Sequence, residues 1–417
     1  YEGGPGEKAG LEEGDIISAI DGEDITEDDN GTLVLRSSNI QNGKISYDDN
    51  VYVKCSVSPE LMVKKDDIII CSRNGSRELI GKNAIIENSG LPCSFGAFMM
   101  VYRCPRYMYY ILNSEVFSYY LGTFLTSTIN QLTGNNFGNM KIVFCKDHNE
   151  QKKIVDFLDK ECAQIDSIAA DLEKQIALLQ QYKKSLITET VTKGLDKSAP
   201  MKDSGVEWIG KIPEHWQKTR IKFEASIIGS GTTPDSGNSM YYDNGEHSWI
   251  QSGDLYGKDY IYETEKQLTN LAILECHALN WYTKDFVVVA MYGASVGNVA
   301  ISKIDSFTNQ ACCVIKLNEK NDNRYLFYFL KAAQEEMLLK AFGGTQPNIS
   351  QIIIKNLNFL NVPLLEQIEI ADFLDSKCDM INEMLKSKKD QYDILIKHKK
   401  SLIYEYVTGK KRVKEVQ

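Results

Sequence analysis

Residues 150–166 read EQKKIVDFLDKECAQID, and residues 366–382 read EQIEIADFLDSKCDMIN. The two stretches stand 216 positions apart and extend without gaps, pairing residues 151–192 with 367–408. Roughly four positions in ten are identical, far above what unrelated segments share. The far ends repeat as well: KKSLITETVT from Lys183 answers KKSLIYEYVT from Lys399. Neither stretch holds Pro or Gly before its end, and Gly194 and Gly409 stand where helix stops are expected. Each therefore reads as one long helix, about 60 Å at 1.5 Å per residue.

Leu158, Ile165, Leu172, Leu179 and Leu186 recur every seven residues in the first copy, with Cys162, Ala169 and Ile176 beside them. The second copy presents Leu374, Ile381, Lys388, Leu395 and Leu402, with Cys378, Leu385 and Tyr392 on the companion row. One helix cannot hide such a stripe by itself. The simplest solution packs the two copies on each other as an antiparallel coiled coil.

Between the helices the chain repeats more faintly. TLVLRSSNIQNGKI (32–45) answers HSWIQSGDLYGKDYI (247–261), and KKDDIIICSRNGSRELIGKNAII (from Lys64) answers TKDFVVVAMYGASVGNVAI (from Thr283). LTGNNFGNMKI (132–142) matches GGTQPNISQIIIKNL (343–357) in position and turn character. Apolar β runs punctuated by glycine turns predict two globular α/β domains. The expected fold class is α+β, two such domains separated by two long helices. The expected boundaries are an acidic segment at 1–29, a first domain at 30–147 and a first helix at 148–194. A linker at 195–215, a second domain at 216–363, a second helix at 364–410 and a basic tail at 411–417 follow.

The composition, with 43% hydrophobic and 25% charged residues, suits a globular protein, and no apolar run approaches the length of a membrane span. The ten cysteines form no CxxC pair and the five histidines are scattered, so neither a disulfide framework nor a metal site is expected. The formal charge of −10 argues at first against nucleic acid. Yet residues 1–29 carry eleven carboxylates against Lys8 alone, which is the whole excess. The remainder is balanced, and acidity does not exclude DNA.

In order and spacing these motifs resemble the specificity subunit of type I restriction-modification systems. The resemblance covers about residues 30–410 and rests on the FLD helix openings, MKDSGVEWIGKIPEHW (201–216), DFVVVAMYGASVGNVAI (from Asp285), GGTQPNIS (from Gly343) and NVPLLEQIEIADFLD (from Asn361). It implies two target-recognition domains, each reading half of a bipartite double-stranded DNA sequence, with helix length fixing the gap. It also implies partners: methyltransferase subunits docked on the helices, and endonuclease/translocase subunits joined to them, in the cytoplasm. S-adenosylmethionine, ATP and magnesium would then belong to those partners, with no cofactor in this chain. The helix-pair interface is expected at Leu158, Ile165, Leu172, Leu179, Leu186, Leu374, Ile381, Leu395 and Leu402.

Two departures stand out. FCKDHNEQ replaces the usual Pro-Pro-Leu before the first helix, and the first domain lacks a counterpart of WIGKIPEHWQKTRIKFEASIIGSGTTP (208–234). In its place YEGGPGEKAGLEEGDIISAIDGEDI (1–25) resembles the central part of a PDZ domain, with a short strand at Ile16–Ile20 and an Asp-Gly hairpin turn. So short a segment cannot bury a core alone, and a fusion or assembly junction is the expectation. A PDZ-containing protease or scaffold fragment is the alternative.

Catalytic motifs are absent. GSRELIGKN (from Gly75) has its glycines one residue too far apart for a phosphate loop, with Asn83 where Ser or Thr would hold magnesium, so it reads as a turn. No residue is expected to be catalytic or to ligate metal, which argues against the other alternative, a self-contained methyltransferase-endonuclease recognition region. DNA reading needs donors and acceptors at base edges within a ring of phosphate contacts. The first domain's candidates are Arg36, Ser37, Asn39, Asn42, Arg73, Asn74, Ser76 and Arg77. The second domain's are Gln251, Ser252, Asp254, Tyr256, Lys258, Tyr292, Ser295, Thr345, Gln346 and Asn348.

Overall fold

A computed structural model describes residues 31–54, 57–87, 92–125, 131–293, 295–342 and 347–413, and the backbone of 19–20 and 23–24. The rest of the PDZ-like segment, including the expected strand start at Ile16, lies outside the described residues. The described part pairs Ala19 with Asp24 and Ile20 with Glu23, two strands across Asp21–Gly22. The chain divides into two compact units, Tyr1–Glu173 with Asp390–Gln417, and Lys174–Lys389.

Each unit builds the same frame. In the first, Ile68–Cys71 is the central strand, antiparallel to Met99–Tyr102 on one side and Asn83–Ile85 on the other. In the second, Phe286–Ala290 lies between Cys312–Leu317 and Val299–Ser302, also antiparallel. Continuous apolar runs belong in strands covered on both faces. Ile69 and Cys71 enter one cluster and Ile68 and Ile70 another. Val287 and Val289 face one core, while Phe286, Val288 and Ala290 face the other. Asp66 and Asp285 precede these strands with φ of 68° and 64°, a left-handed conformation uncommon outside glycine. Their amides reach Ile86 and Ser302 carbonyls, both at 2.8 Å. A second small sheet repeats too: Thr32–Leu35 pairs parallel with Cys93–Phe95, as His247–Ile250 pairs parallel with Phe307–Thr308.

The long helices run His148–Lys193 and Leu364–Val407, followed by Gly194 and Gly409 with φ of 74° and 73°. Within each unit they run antiparallel. In the first, the Lys399 ammonium bonds Asp166 and Tyr392 bonds Glu173, seven positions on along one helix and seven back along the other. In the second, Lys183 bonds the Asn382 side-chain oxygen at 2.9 Å. Lys183 and Lys399 are the same residue of the repeat, as are Asp166 and Asn382. Leu158, Ile165, Leu172, Leu374, Ile381 and Leu402 are buried. Leu179, Leu186 and Leu395 are only half-buried. The extra burial comes where a globular domain covers the helices: Leu158 and Leu402 share a cluster with Tyr107 and Ile111, and Leu374 shares one with Tyr325 and Phe329.

The linker expected at 195–215 is a structured hairpin, Met201–Asp203 paired with Lys211–Pro213. It delivers Trp216 into the second core, fully buried, with its indole N–H donating to Glu366 at 3.0 Å. The stretch after Trp216 then closes two edges: Gln217–Arg220 pairs with Asn358–Asn361, and Ala225–Ser230 with Cys312–Leu317. Among the described residues of the first unit, neither pairing has a counterpart. Met99–Tyr102 is an edge strand, and residues 142–145 form no strand, with Val143 60% exposed.

Leu374→Ala removes a fully buried side chain and is expected to cost about 2–5 kcal/mol in denaturant unfolding. Replacing residues 1–29 with a copy of residues 213–231 is expected to raise the unfolding midpoint. The same replacement should slow amide exchange along Met99–Tyr102, readable by hydrogen-exchange mass spectrometry.

Candidate nucleic-acid interface

In each unit three loops meet beyond the ends of these sheets. The first is a short 3-10 turn, Ser37–Asn39 in one unit and Ser252–Leu255 in the other. A buried Asx side chain holds each turn. The Asn39 side-chain oxygen accepts the Arg36 amide at 2.9 Å, and its amide donates to the Ser46 and Asp49 carbonyls. Asp254 accepts the amides of Gln251 at 2.8 Å and Glu265 at 3.1 Å. Both are interior residues, so the expectation that they touch bases is corrected: they shape the loop that others use. Ser295 is corrected likewise, at 6% exposure. The expected positions Thr345 and Gln346 lie outside the described residues.

The second loop follows the central strand. The Asn74 amide donates to the Ser37 hydroxyl at 3.1 Å, joining loops one and two. In the other unit Gly293 takes that place, with Ser252 Oγ at 4.0 Å from where its Cβ would stand. The third loop docks by backbone: the Leu132 amide on the Ser72 carbonyl, and the Ile349 amide on Met291, each at 2.7 Å. It ends in a helical turn capped by Thr133 or Ser350, whose hydroxyls accept the amides of Asn136 and Ile353. These contacts bring together the segments that carry Arg36, Ser37, Arg73 and Asn74 in one unit and Gln251, Ser252, Tyr292 and Asn348 in the other.

The side chains presented differ between units. Arg36 forms an ion pair with Asp49 at 2.9 Å, and Arg73 lies over the Phe98 ring at 5.4 Å. Arg77 donates to the Leu125 carbonyl at 2.8 Å, while Asn42 (φ 50°) is the tip of the hairpin joining Ile40–Gln41 to Lys44–Ile45, and Ser76 is exposed. In the second unit Tyr256 is 72% exposed and Lys258 and Asn348 are exposed. Burial, then the nearby Cys312, pushes the half-buried Tyr292 hydroxyl above its ordinary range, which keeps it a hydrogen-bond donor. Gln251 also lines a cavity of about 660 Å³ with Trp249, Thr233, Thr264 and Lys266. Phe98, Asp49, Thr233 and Gln310 were not singled out from sequence. Phe98 is an exposed aromatic under an arginine, and Thr233 bonds Gln310 beside Tyr292.

Each unit thus carries the same frame with its own polar loop cluster, an arrangement suited to DNA recognition. Residues 213–391 match the type I restriction modification DNA specificity domain. The chain is 27% identical over 411 residues to the MjaX type I restriction enzyme specificity subunit of Methanocaldococcus jannaschii, covering 92% of this chain and 88% of that one. It is 26% identical to the StySPI specificity subunit of Salmonella potsdam, over 81% of this chain and 73% of that one. A solved chain from work on complex assembly and conformational transition of the type I R-M system shares the fold, with TM-score 0.68, 14% identity and 91% coverage of each. Residues 1–32 match the PDZ domain.

Asp254→Ala should lower stability by about 1–3 kcal/mol, because two buried amides lose their acceptor. Arg73→Ala is expected to leave the unfolding midpoint within about 0.5 kcal/mol while weakening binding to the chain's own target by about 1–3 kcal/mol. Calorimetry and fluorescence anisotropy on the same preparations separate the two effects.

Proposed function

We propose that this chain reads a bipartite, asymmetric double-stranded DNA sequence, one half with each loop cluster, and directs methyltransferase and endonuclease/translocase subunits to it. The observation carrying this reading is that equivalent positions of one frame hold different chemistry. Arg36 stands where Gln251 does, and Asn74 where Gly293 does; Gln41 and Asn42 answer Tyr256 and Gly257. An arginine fork suits guanine or phosphate, whereas a glutamine amide suits adenine. Two readers built alike but tipped differently suit two different half-sites.

The chain's own part is binding and positioning, without catalysis. S-adenosylmethionine, ATP and magnesium are assigned to the partner subunits, and the site of action to the cytoplasm, where such a complex meets chromosomal DNA. Among the described residues no helix is long and apolar enough to cross a membrane. Lys258 supports phosphate contact by its exposure, and phosphate contacts make affinity fall with salt.

Co-expression with its methyltransferase subunit in a methylation-free host, followed by modification-sensitive sequencing, tests the reading. The expected result is one motif with two unlike halves. A symmetric motif would assign reading to the second unit alone, and failure of the subunits to associate would overturn the proposal.

A further inference from the structure

The repeat contains a second motif, Arg-Tyr-x-x-Tyr, at residues 106–110 and again at 324–328. In both units it meets the aspartate of the FLD stretch. The Arg106 Nε donates to both Asp159 oxygens, at 3.1 and 2.9 Å, and Tyr110 donates its hydroxyl to the same carboxylate. Arg324 bonds Asp375 at 2.9 Å, and Tyr328 bonds it at 2.6 Å. Charge-assisted bonds of this kind are the strong ones, and a carboxylate holding an arginine and a phenol fixes direction as well as distance. Burial, then the bond to the aspartate, pushes both hydroxyls above their ordinary range, so each remains a donor.

The first tyrosine of each motif grips the other long helix. Tyr107 donates to the Val407 carbonyl and Tyr325 to the Val191 carbonyl, both at 2.9 Å and both buried. These carbonyls lie in the last turns, where intrahelical partners run out. Each globular domain is thus pinned to both helices at once, by carboxylate on one and by helix end on the other.

The pins lead directly to the reading loops. Tyr109, beside Tyr110, bonds the carbonyl of Gly43 at the hairpin tip that carries Asn42. Tyr260, two residues after Lys258, bonds Asp375 at 3.1 Å. Its neighbour Asp259 pairs with Lys331 and, at 3.6 Å, with Lys183 of the first long helix. Only a few side chains separate helix from DNA-facing loop.

We infer that Asp159 with Arg106 and Tyr110, and Asp375 with Arg324 and Tyr328, are positioning residues that fix each loop cluster on the helices and so enforce one spacing between the half-sites. The inference rests on the DNA-reading proposal. It separates from that proposal because base identity resides in the loops and spacing in the pins.

The test is the same methylation mapping, made with the complete complex carrying Asp159→Asn or Asp375→Asn. Each should leave the bases of both half-sites unchanged while targets with spacers one base pair longer or shorter gain about tenfold in methylation relative to the native spacer. Tyr110→Phe and Tyr328→Phe, which delete one bond and keep the ion pair, should shift the same ratio less, and they decide the question if an Asn variant does not fold. A spacer preference equal to wild type in the Phe and Asn variants overturns the inference, as does a change of base identity in either half. Absence of any motif with the wild-type complex would instead overturn the DNA-reading proposal.

Discussion

The long helices carry apolar stripes that neither can bury alone, and most of the structure answers that constraint. Fully burying a leucine contributes about 1.5–3 kcal/mol, so six buried seam residues give the pair a strong reason to form. The apolar seam does not by itself choose a register. Polar pairs do: Lys399 on Asp166 and Lys183 on Asn382 each place a lysine of the KKSLI stretch beside the residue following a seam isoleucine. A slip of one heptad would keep apolar contact and lose both pairs. The globular domains add the remaining burial, which explains why Leu158 and Leu374 are fully covered while Leu179 is not.

On this scaffold the duplicated frame separates what must stay constant from what must vary. Asn39 and Asp254 differ by one functional group, yet both hold the first loop by accepting a backbone amide three residues earlier. Such satisfied buried groups resist change, because removing one leaves several donors or acceptors without partners. The exposed residues near them, such as Ser38, Gln41 and Tyr256, carry no such obligation. Recognition can therefore diverge between the units while the loop keeps its shape.

Much of this was legible in the residues. Heptad spacing marked the helices, and the repeated glycine turns marked the frames, because both patterns follow directly from backbone geometry. The same spacing could not separate Asn39 and Asp254 from the contact residues beside them. An Asx in a polar loop looks alike whether it holds the backbone or faces solvent, and only burial distinguishes the two. The Arg-Tyr-x-x-Tyr motif escaped for a different reason. It lies in short apolar helices that read as core, and its partner aspartates are about fifty residues away along the chain. Spacing within a segment is local information; a pin between segments is not.

The two units also differ in how their described sheet edges are covered, and the difference follows sheet physics. In the second unit one continuous stretch after Trp216 supplies strands to two separate edges. An edge strand with unpaired amides and carbonyls is a liability that proteins cover, shorten or charge. Phe359 and Leu360 are fully buried once Gln217–Arg220 lies beside them. At the corresponding place in the first unit Val143 and Phe144 stand exposed, and the Met99–Tyr102 strand has no outer neighbour among the described residues. The pins are independent of these edges, since Arg106, Tyr107 and Tyr110 reach the helices from a separate segment. Anchoring to the helices and closure of the sheet are thus separable properties of one frame. The first unit retains the anchor, and with it the means of presenting Arg36 and Arg73.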